Sequence, residues 1–128
     1  MSSKDVISIS EAESVVMEVI WRKNPIITDD VVAELAHHGK WQESTVKTLL
    51  NRLLKKGAIS ARKEGRRYLY SPVLQREQWL AAESKGFLDR LFDGRLVPLV
   101  SYFSQQRKLS KKEIAELKRL IQELDDGR

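Results

Sequence analysis

The chain has 128 residues, the size of one domain or of two small units sharing a core. Hydrophobic residues make up 41% and charged residues 32%, a balance that fits a soluble globular protein and excludes global disorder. Lysine and arginine number 23 against 18 acids, a net of +5, and the absence of cysteine excludes a disulfide framework and a thiolate metal site. No run approaches the ~20 apolar residues of a membrane span. The opening MSSKDVISIS has neither the basic nor the apolar region of a secretory signal. A cytoplasmic protein with no direct membrane insertion is expected.

Residues 10 to 23 are predicted as a first helix. Ser10 and Glu13 have the S-x-x-E spacing of a capping box, and Ala12, Val15, Val16, Val19 and Ile20 form an apolar stripe flanked by Met17 and Trp21. Asn24-Pro25 ends it, because proline disfavours helical geometry in the residue before it. A second, short helix runs from Thr28 to His37 or His38. Thr28 is its expected N-cap, Asp29 and Asp30 suit its dipole, Val31, Val32, Leu35 and Ala36 form its apolar side, and Gly39 is its left-handed end.

A third helix starts near Glu43 and runs through STVKTLLNRLLKKG. Val46, Leu49, Leu50 and Leu53 make one apolar face, and from Ser44 to Lys56 the other face holds hydroxyls, Asn51 and cations but no carboxylate. Gly57 ends the helix. Ile59 to Arg62 and Arg67 to Ser71 read as two short strands around a KEGR turn. Three short helices followed by a hairpin is the winged helix-turn-helix pattern. Beyond it the strand signals vanish. Gln75 to Phe92 reads as a helix with Leu80, Phe87, Leu88, Leu91 and Phe92 buried, broken by Asp93-Gly94. Leu96 to Gln105 is short and very apolar, and residues 111 to 125 form a last helix opened by a second capping box, Ser110 with Glu113. The fold class is therefore mainly α with a small β-hairpin wing. Residues 1–72 are expected as the winged-helix domain and 73–128 as a helical dimerisation domain.

The charge is concentrated. Residues 44 to 67 hold eight cations against the single acid Glu64, a net of +7 in 24 residues, while the rest of the chain sums to −2. A basic cluster is often only a solvated surface. Here the cations fall on two adjacent elements that a winged helix aims at one duplex, so double-stranded DNA is the expected partner. Ser44, Thr45 and Thr48 are short enough to let the helix approach base edges, and their hydroxyls and methyls can read them. Lys47 and Arg52 reach a phosphate or a guanine, Lys55 extends the cationic row, and Arg66 and Arg67 reach an adjacent groove or backbone. Lys63 and Tyr68 are weaker candidates. The bland readings are that the hydroxyls are ordinary surface groups, that Ser44 caps locally, and that Tyr68 and Tyr70 are a hairpin-core pair.

Nothing points to catalysis. Phosphate-cradling loops and the G-x-S-x-G nucleophile elbow are absent, and no cofactor is implied. His37 and His38 are adjacent on a helix and cannot chelate one metal from one face. Trp21, Trp79, Phe87, Phe92 and Phe103 sit on or beside apolar stripes and read as packing residues. In the last third, Leu96, Val97, Leu99, Val100, Tyr102, Phe103, Ile114, Leu117, Ile121 and Leu124 are too many apolar residues for ~55 residues of helix to bury alone. They either fold back on the first domain or form a two-fold dimer, and the dimer is favoured because it presents two reading heads to a palindrome. A winged helix can also serve as a protein-interaction module without operator binding, which is the alternative function.

The runs ISEAESVVMEVIW, ITDDVVAELAHHGKW, STVKTLLNRLLKKGAI and GRRYLYSPV, with LVSYFS and LSKKEIAELKRLI beyond them, resemble the BlaI/MecI family of penicillinase and methicillin-resistance repressors over nearly the whole chain. The resemblance implies a homodimeric repressor on operator dyads of resistance or cell-envelope-stress genes. Its recognition-helix contacts fall on Ser44, Thr45, Lys47, Thr48 and Arg52. It also implies release through a membrane sensor-protease system that leads to cleavage of an Asn-Phe bond in the dimerisation half. The matching bond is Tyr102-Phe103, which keeps the Phe and lacks the Asn. The cysteines of the family's copper-responsive cousins are absent, which disfavours copper sensing. The family's Ser-Pro pair before helix three is replaced by Gln42-Glu43, a weaker cap and an acid that a phosphate repels.

Overall fold

In the computed structural model, which describes residues 6–37 and 41–127, the first helix, α1 (Glu11–Arg22), begins at its capping box. The Ser10 hydroxyl accepts from the Glu13 N–H at 3.1 Å, and the Ser10 N–H donates to the Glu13 carboxylate at 2.8 Å. The box turns Glu13 inward, and this corrects the expected stripe. The buried face is Glu13, Val16, Met17, Val19 and Ile20, with Met17 fully enclosed, Val15 half-buried and Ala12 exposed.

The chain then extends into β1 (Ile26–Ile27), a two-residue strand too short to show any alternation in the sequence. Helix α2 (Thr28–Ala36) follows directly. Because the chain is still extended at Ile27, that residue is the N-cap and Thr28 is already helical, so Thr28 is not the capping residue expected. Its hydroxyl instead faces that of Tyr70 at a long 3.4 Å. Ala36 is exposed. The expected helix end at His38 and the left-handed Gly39 lie outside the described residues.

Helix α3 (Glu43–Lys56) buries Val46, Leu49, Leu50 and Leu53 against α1 and α2. Full burial of one such leucine contributes ~1.5–3 kcal/mol. Gly57 takes φ +78°, a left-handed value that costs glycine little, and two bonds close the helix end: Gly57 N–H to Leu54 and Ala58 N–H to Leu53, each 3.0 Å. This end hands the chain straight into β2 (Ile59–Glu64), which pairs antiparallel with β3 (Arg67–Pro72). Both strands run further than the sequence suggested. The register Glu64 to Arg67 leaves only Gly65 and Arg66 in the turn, and Gly65 at φ +64° fills the position that this tight hairpin reserves for glycine. β1 pairs with the other edge of β3, giving the order β1-β3-β2. Three helices and a hairpin wing make the first unit a winged helix-turn-helix.

Two contacts brace this unit. The Lys56 ammonium lies 2.6 Å from the Glu13 carboxylate, which is only 2% exposed, and also donates to the Ser8 carbonyl at 3.1 Å. On the far side of α1, Glu34 of α2 takes Lys23 at 2.6 Å and Arg22 at 3.5 Å.

Helix α4 (Arg76–Phe92) leaves the wing. Its first turns belong to the first unit: the Trp21 indole N–H donates to the Leu74 carbonyl at 2.8 Å, the Trp21 and Trp79 rings lie 5.4 Å apart, and Arg76 meets Glu18 at 3.0 Å. The last strand ends at Pro72, but these contacts carry the first compact unit on to residue 83. The second unit comprises residues 84–128 and holds the rest of α4, α5 (Leu96–Gln105) and α6 (Lys111–Asp126). At α6 the Ser110 hydroxyl accepts from the Glu113 N–H at 3.1 Å, and among the described residues the return bond of the expected capping box is absent.

No residue of α4, α5 or α6 is buried in a single copy. This corrects the expected burial of Leu80, Phe87 and Leu91, which are exposed, and of Leu88 and Phe92, which are half-buried. Helices this few and this narrow cannot surround one another's apolar sides.

Burial pushes the Glu13 carboxyl up, but the Lys56 hydrogen bond, the Ser10 backbone bond and the Lys56 charge together hold it below its usual 4.5. A carboxyl lowered on folding stabilises above its unfolded value, and the contribution fades as pH falls through the folded value. Lys56→Ala is expected to lose roughly 1–3 kcal/mol in urea unfolding at neutral pH, because Glu13 keeps its burial without its cation. The gap should shrink once the pH drops below ~4.5. A gap independent of pH would show that the ion pair is not what stabilises this contact.

Candidate nucleic-acid interface

The packing of α3 determines which of its residues are free. With Val46, Leu49, Leu50 and Leu53 turned inward, Ser44, Thr45, Lys47, Thr48, Asn51, Arg52 and Lys55 are all exposed. Ser44, Thr45, Thr48 and Arg52 line one shallow depression together with the edge of Leu49. The Thr48 hydroxyl donates to the Ser44 carbonyl at 2.9 Å. Its proton is therefore engaged, while the oxygen of this exposed side chain can still accept. Ser44 lies inside the helix, and α3 carries no side-chain cap: Gln42 is the N-cap and makes no such bond. Local capping by Ser44 is thereby ruled out.

A second concavity runs beside the first. Lys47 and Asn51 of α3 face Thr28 and Asp29 at the start of α2, with Tyr68 and Tyr70 of the wing strand. A third notch adjoins it, lined by Ile27, Thr28, Asp29, Arg66, Arg67 and Tyr68. The start of α2 thus links the recognition-helix candidates to the wing arginines. Arg66 sits in the hairpin turn and Arg67 opens β3, both exposed. The two tyrosines part company: Tyr70, opposite Ala61, lies over the core at 7% exposure, while Tyr68, opposite Lys63 and nearer the tip, is 47% exposed. The Lys63 ammonium stands 5.9 Å from the Tyr68 ring centre.

The cations divide by partner. Lys56 is held by Glu13, so it braces the fold. Lys47 meets Glu43 at 2.7 Å, and Arg62 lies 3.8 Å from Glu64. Among the described residues, Arg52, Lys55, Arg66 and Arg67 have no carboxylate within ion-pair distance and are available to an external anion. The hydrogen bond to Lys47, then its charge, hold the Glu43 carboxyl below the usual range. In return, Glu43 raises Lys47, first through the same hydrogen bond and then through its charge, with a smaller contribution from Asp29.

Sequence reading assigned Thr28 a capping role and Asp29 a place in the first turn of α2, which Asp29 keeps, and assigned no contact to Asn51; the structure puts all three in the concavity beside Lys47. Helix order alone carried the signal, because in a helix-turn-helix the start of the second helix lies beside the third. Among the described residues, no cluster of three or more His, Cys, Asp or Glu stands close enough to hold a metal ion.

An exposed helix face with hydroxyls at its start and unpaired cations further on, flanked by an arginine-tipped hairpin, suits a polyanion with readable edges. Known proteins resemble this chain in sequence and fold. Residues 9–123 match the family model described as penicillinase repressor. The chain is 38% identical over 120 residues to the penicillinase repressor of Bacillus licheniformis, covering 94% of each. It is 31% identical over 113 residues to the methicillin resistance regulatory protein MecI of Staphylococcus aureus, covering 88% of this chain and 92% of that protein. Over 58% of this chain and 90% of the other, the fold matches the solution structure of monomeric BlaI from Bacillus licheniformis in complex with the blaP half-operator, with 40% identity and a TM-score of 0.51.

Proposed function

The chain belongs to the penicillinase repressor family, and we propose that it is a homodimeric, sequence-specific repressor that binds operator dyads in double-stranded DNA. The observation that carries this reading is the α3 face with its flanking wing, matched to a relative whose structure was solved on a half-operator. The family is one of repressors rather than enzymes.

In this reading α3 lies in the major groove. Ser44, Thr45 and Thr48 meet base edges, Lys47 and Asn51 follow on the side facing α2, and Arg52 and Lys55 reach phosphates. Arg66 and Arg67 contact the backbone or groove beside it. Short side chains at the front of the helix permit close approach, and long cations behind them fix the register.

The second unit supplies the dimer. Leu96, Val97, Val100, Leu117, Leu120, Ile121 and Leu124 of α5 and α6 line one almost wholly apolar groove. Leu96, Ile121 and Leu124 are exposed in a single copy, as are Phe103 and Ile114, while Leu99, Val100 and Leu117 are half-buried. A second copy covering this face removes it from water at ~25 cal/mol per Å². The dimerisation role expected for residues 73–128 then falls to their second-unit part, residues 84–128, with the reading head in residues 1–83.

The names of the relatives support resistance genes as the regulon; a cytoplasmic location and release through a membrane sensor-protease system rest on the family resemblance alone. Among the described residues no helix is long and apolar enough to cross a membrane. The candidate bond Tyr102-Phe103 lies within α5, with the two rings edge to face at 5.6 Å. Cleavage there requires the last turns of α5 to unwind, since a protease takes extended backbone.

Arg52→Ala should reduce the log-log salt slope of operator affinity by ~0.9, one phosphate contact. An unchanged slope would remove Arg52 from the contact set. In sedimentation, the parent should run as a dimer at tens of micromolar, and Ile121→Asp with Leu124→Asp as a folded monomer. A parent found only as a monomer would refute the dimer.

A further inference from the structure

Glu43 is the one acid in the first turn of α3, and its carboxylate is held 2.7 Å from the ammonium of Lys47 one turn on. The pair does little for stability. Both side chains are more than half exposed, at 61% and 54%, and such helix pairs are screened by solvent. Nor does it serve as a phosphate anchor. The carboxylate repels a phosphate, and Lys47 also feels Asp29 across the groove lined by α2. Lys47 is thus the interface cation least free to neutralise the backbone, whereas Arg52 and Lys55 further along α3 have no acid partner among the described residues.

What the pair offers is a donor and an acceptor side by side with no net charge. A C·G base pair presents the complementary edge in the major groove: the cytosine N4 amino group donates, and guanine O6 and N7 accept. A T·A pair places thymine O4, an acceptor, where the cytosine amino group would be, and two acceptors face each other. We propose that Glu43 and Lys47 form a specificity-determining pair that reads one C·G base pair in each half-site, the carboxylate accepting from cytosine N4 and the ammonium donating to guanine. The pairing rests on the operator-binding reading above. It needs no movement of the backbone, because both side chains already project from the end of α3 that a winged helix directs at base edges.

The test is a competition assay on the full chain at fixed salt. Half-site duplexes carry each of the four base pairs at every position in turn, against the parent, Glu43→Ala and Lys47→Ala. The parent should prefer C·G at one position by roughly 5- to 150-fold, the equivalent of ~1–3 kcal/mol. Both variants should lose that preference at the same position and keep discrimination elsewhere. If Glu43→Ala instead tightens every duplex by a common factor, Glu43 only repels phosphate and the proposal falls. A parent that binds no duplex overturns the operator reading itself, an outcome distinct from the uniform shift.

Discussion

Helix α3 has to be buried on one side and bare on the other, and the rest of the first unit follows from that constraint. Val46, Leu49, Leu50 and Leu53 place the helix against α1 and α2. The left-handed Gly57 then turns the chain without a loop, so that β2 starts two residues later. The recognition surface and the wing therefore cannot be positioned separately: the same helix end fixes both. Lys56 pins that end to α1 through Glu13, and Glu13 is also the residue that closes the α1 capping box. One buried carboxylate thus ties together the start of α1 and the end of α3.

Charge is distributed unevenly along α3. Its first turn carries Glu43 with the hydroxyls of Ser44 and Thr45, Lys47 one turn on balances Glu43, Thr48, Asn51 and the bare Arg52 follow, and its last turn divides Lys55 to solvent and Lys56 to the fold. Reading and anchoring need different chemistry. Bases are distinguished by matched donors and acceptors, in which net charge is a hindrance, while phosphates are held by net positive charge. In the proposed reading, the order along the helix separates the two tasks in space.

Much of this was legible in the sequence because it rests on local rules. The capping box at Ser10, the apolar face of α3, the helix stop at Gly57 and the Gly65 turn are each specified by a few neighbouring residues. What was not legible depended on tertiary contacts. Strand β1 exists only because β3 offers it an edge, and that pairing is what displaces the α2 cap from Thr28 to Ile27. Glu13 looked like a surface capping acid until Lys56, 43 positions away, came into reach. On α3 the sequence showed Glu43 as an acid at the entrance to the hydroxyl run, but not its pairing with Lys47, and Asp29 belonged to another helix. In α4 to α6 the apolar stripes were plain, but the sequence could not tell burial within one copy from exposure awaiting a second.

The location of the DNA surface is tested most directly by titrating the isotopically labelled full chain with a short operator duplex and following backbone and side-chain resonances. Shifts concentrated on the exposed residues of α3, the start of α2 around Thr28 and Asp29, and the hairpin tip at Arg66 and Arg67 are expected, with the core of α1 unmoved. Shifts confined to α5 and α6, or none at saturating duplex, would contradict the assignment of α3 and the wing as the reading surface.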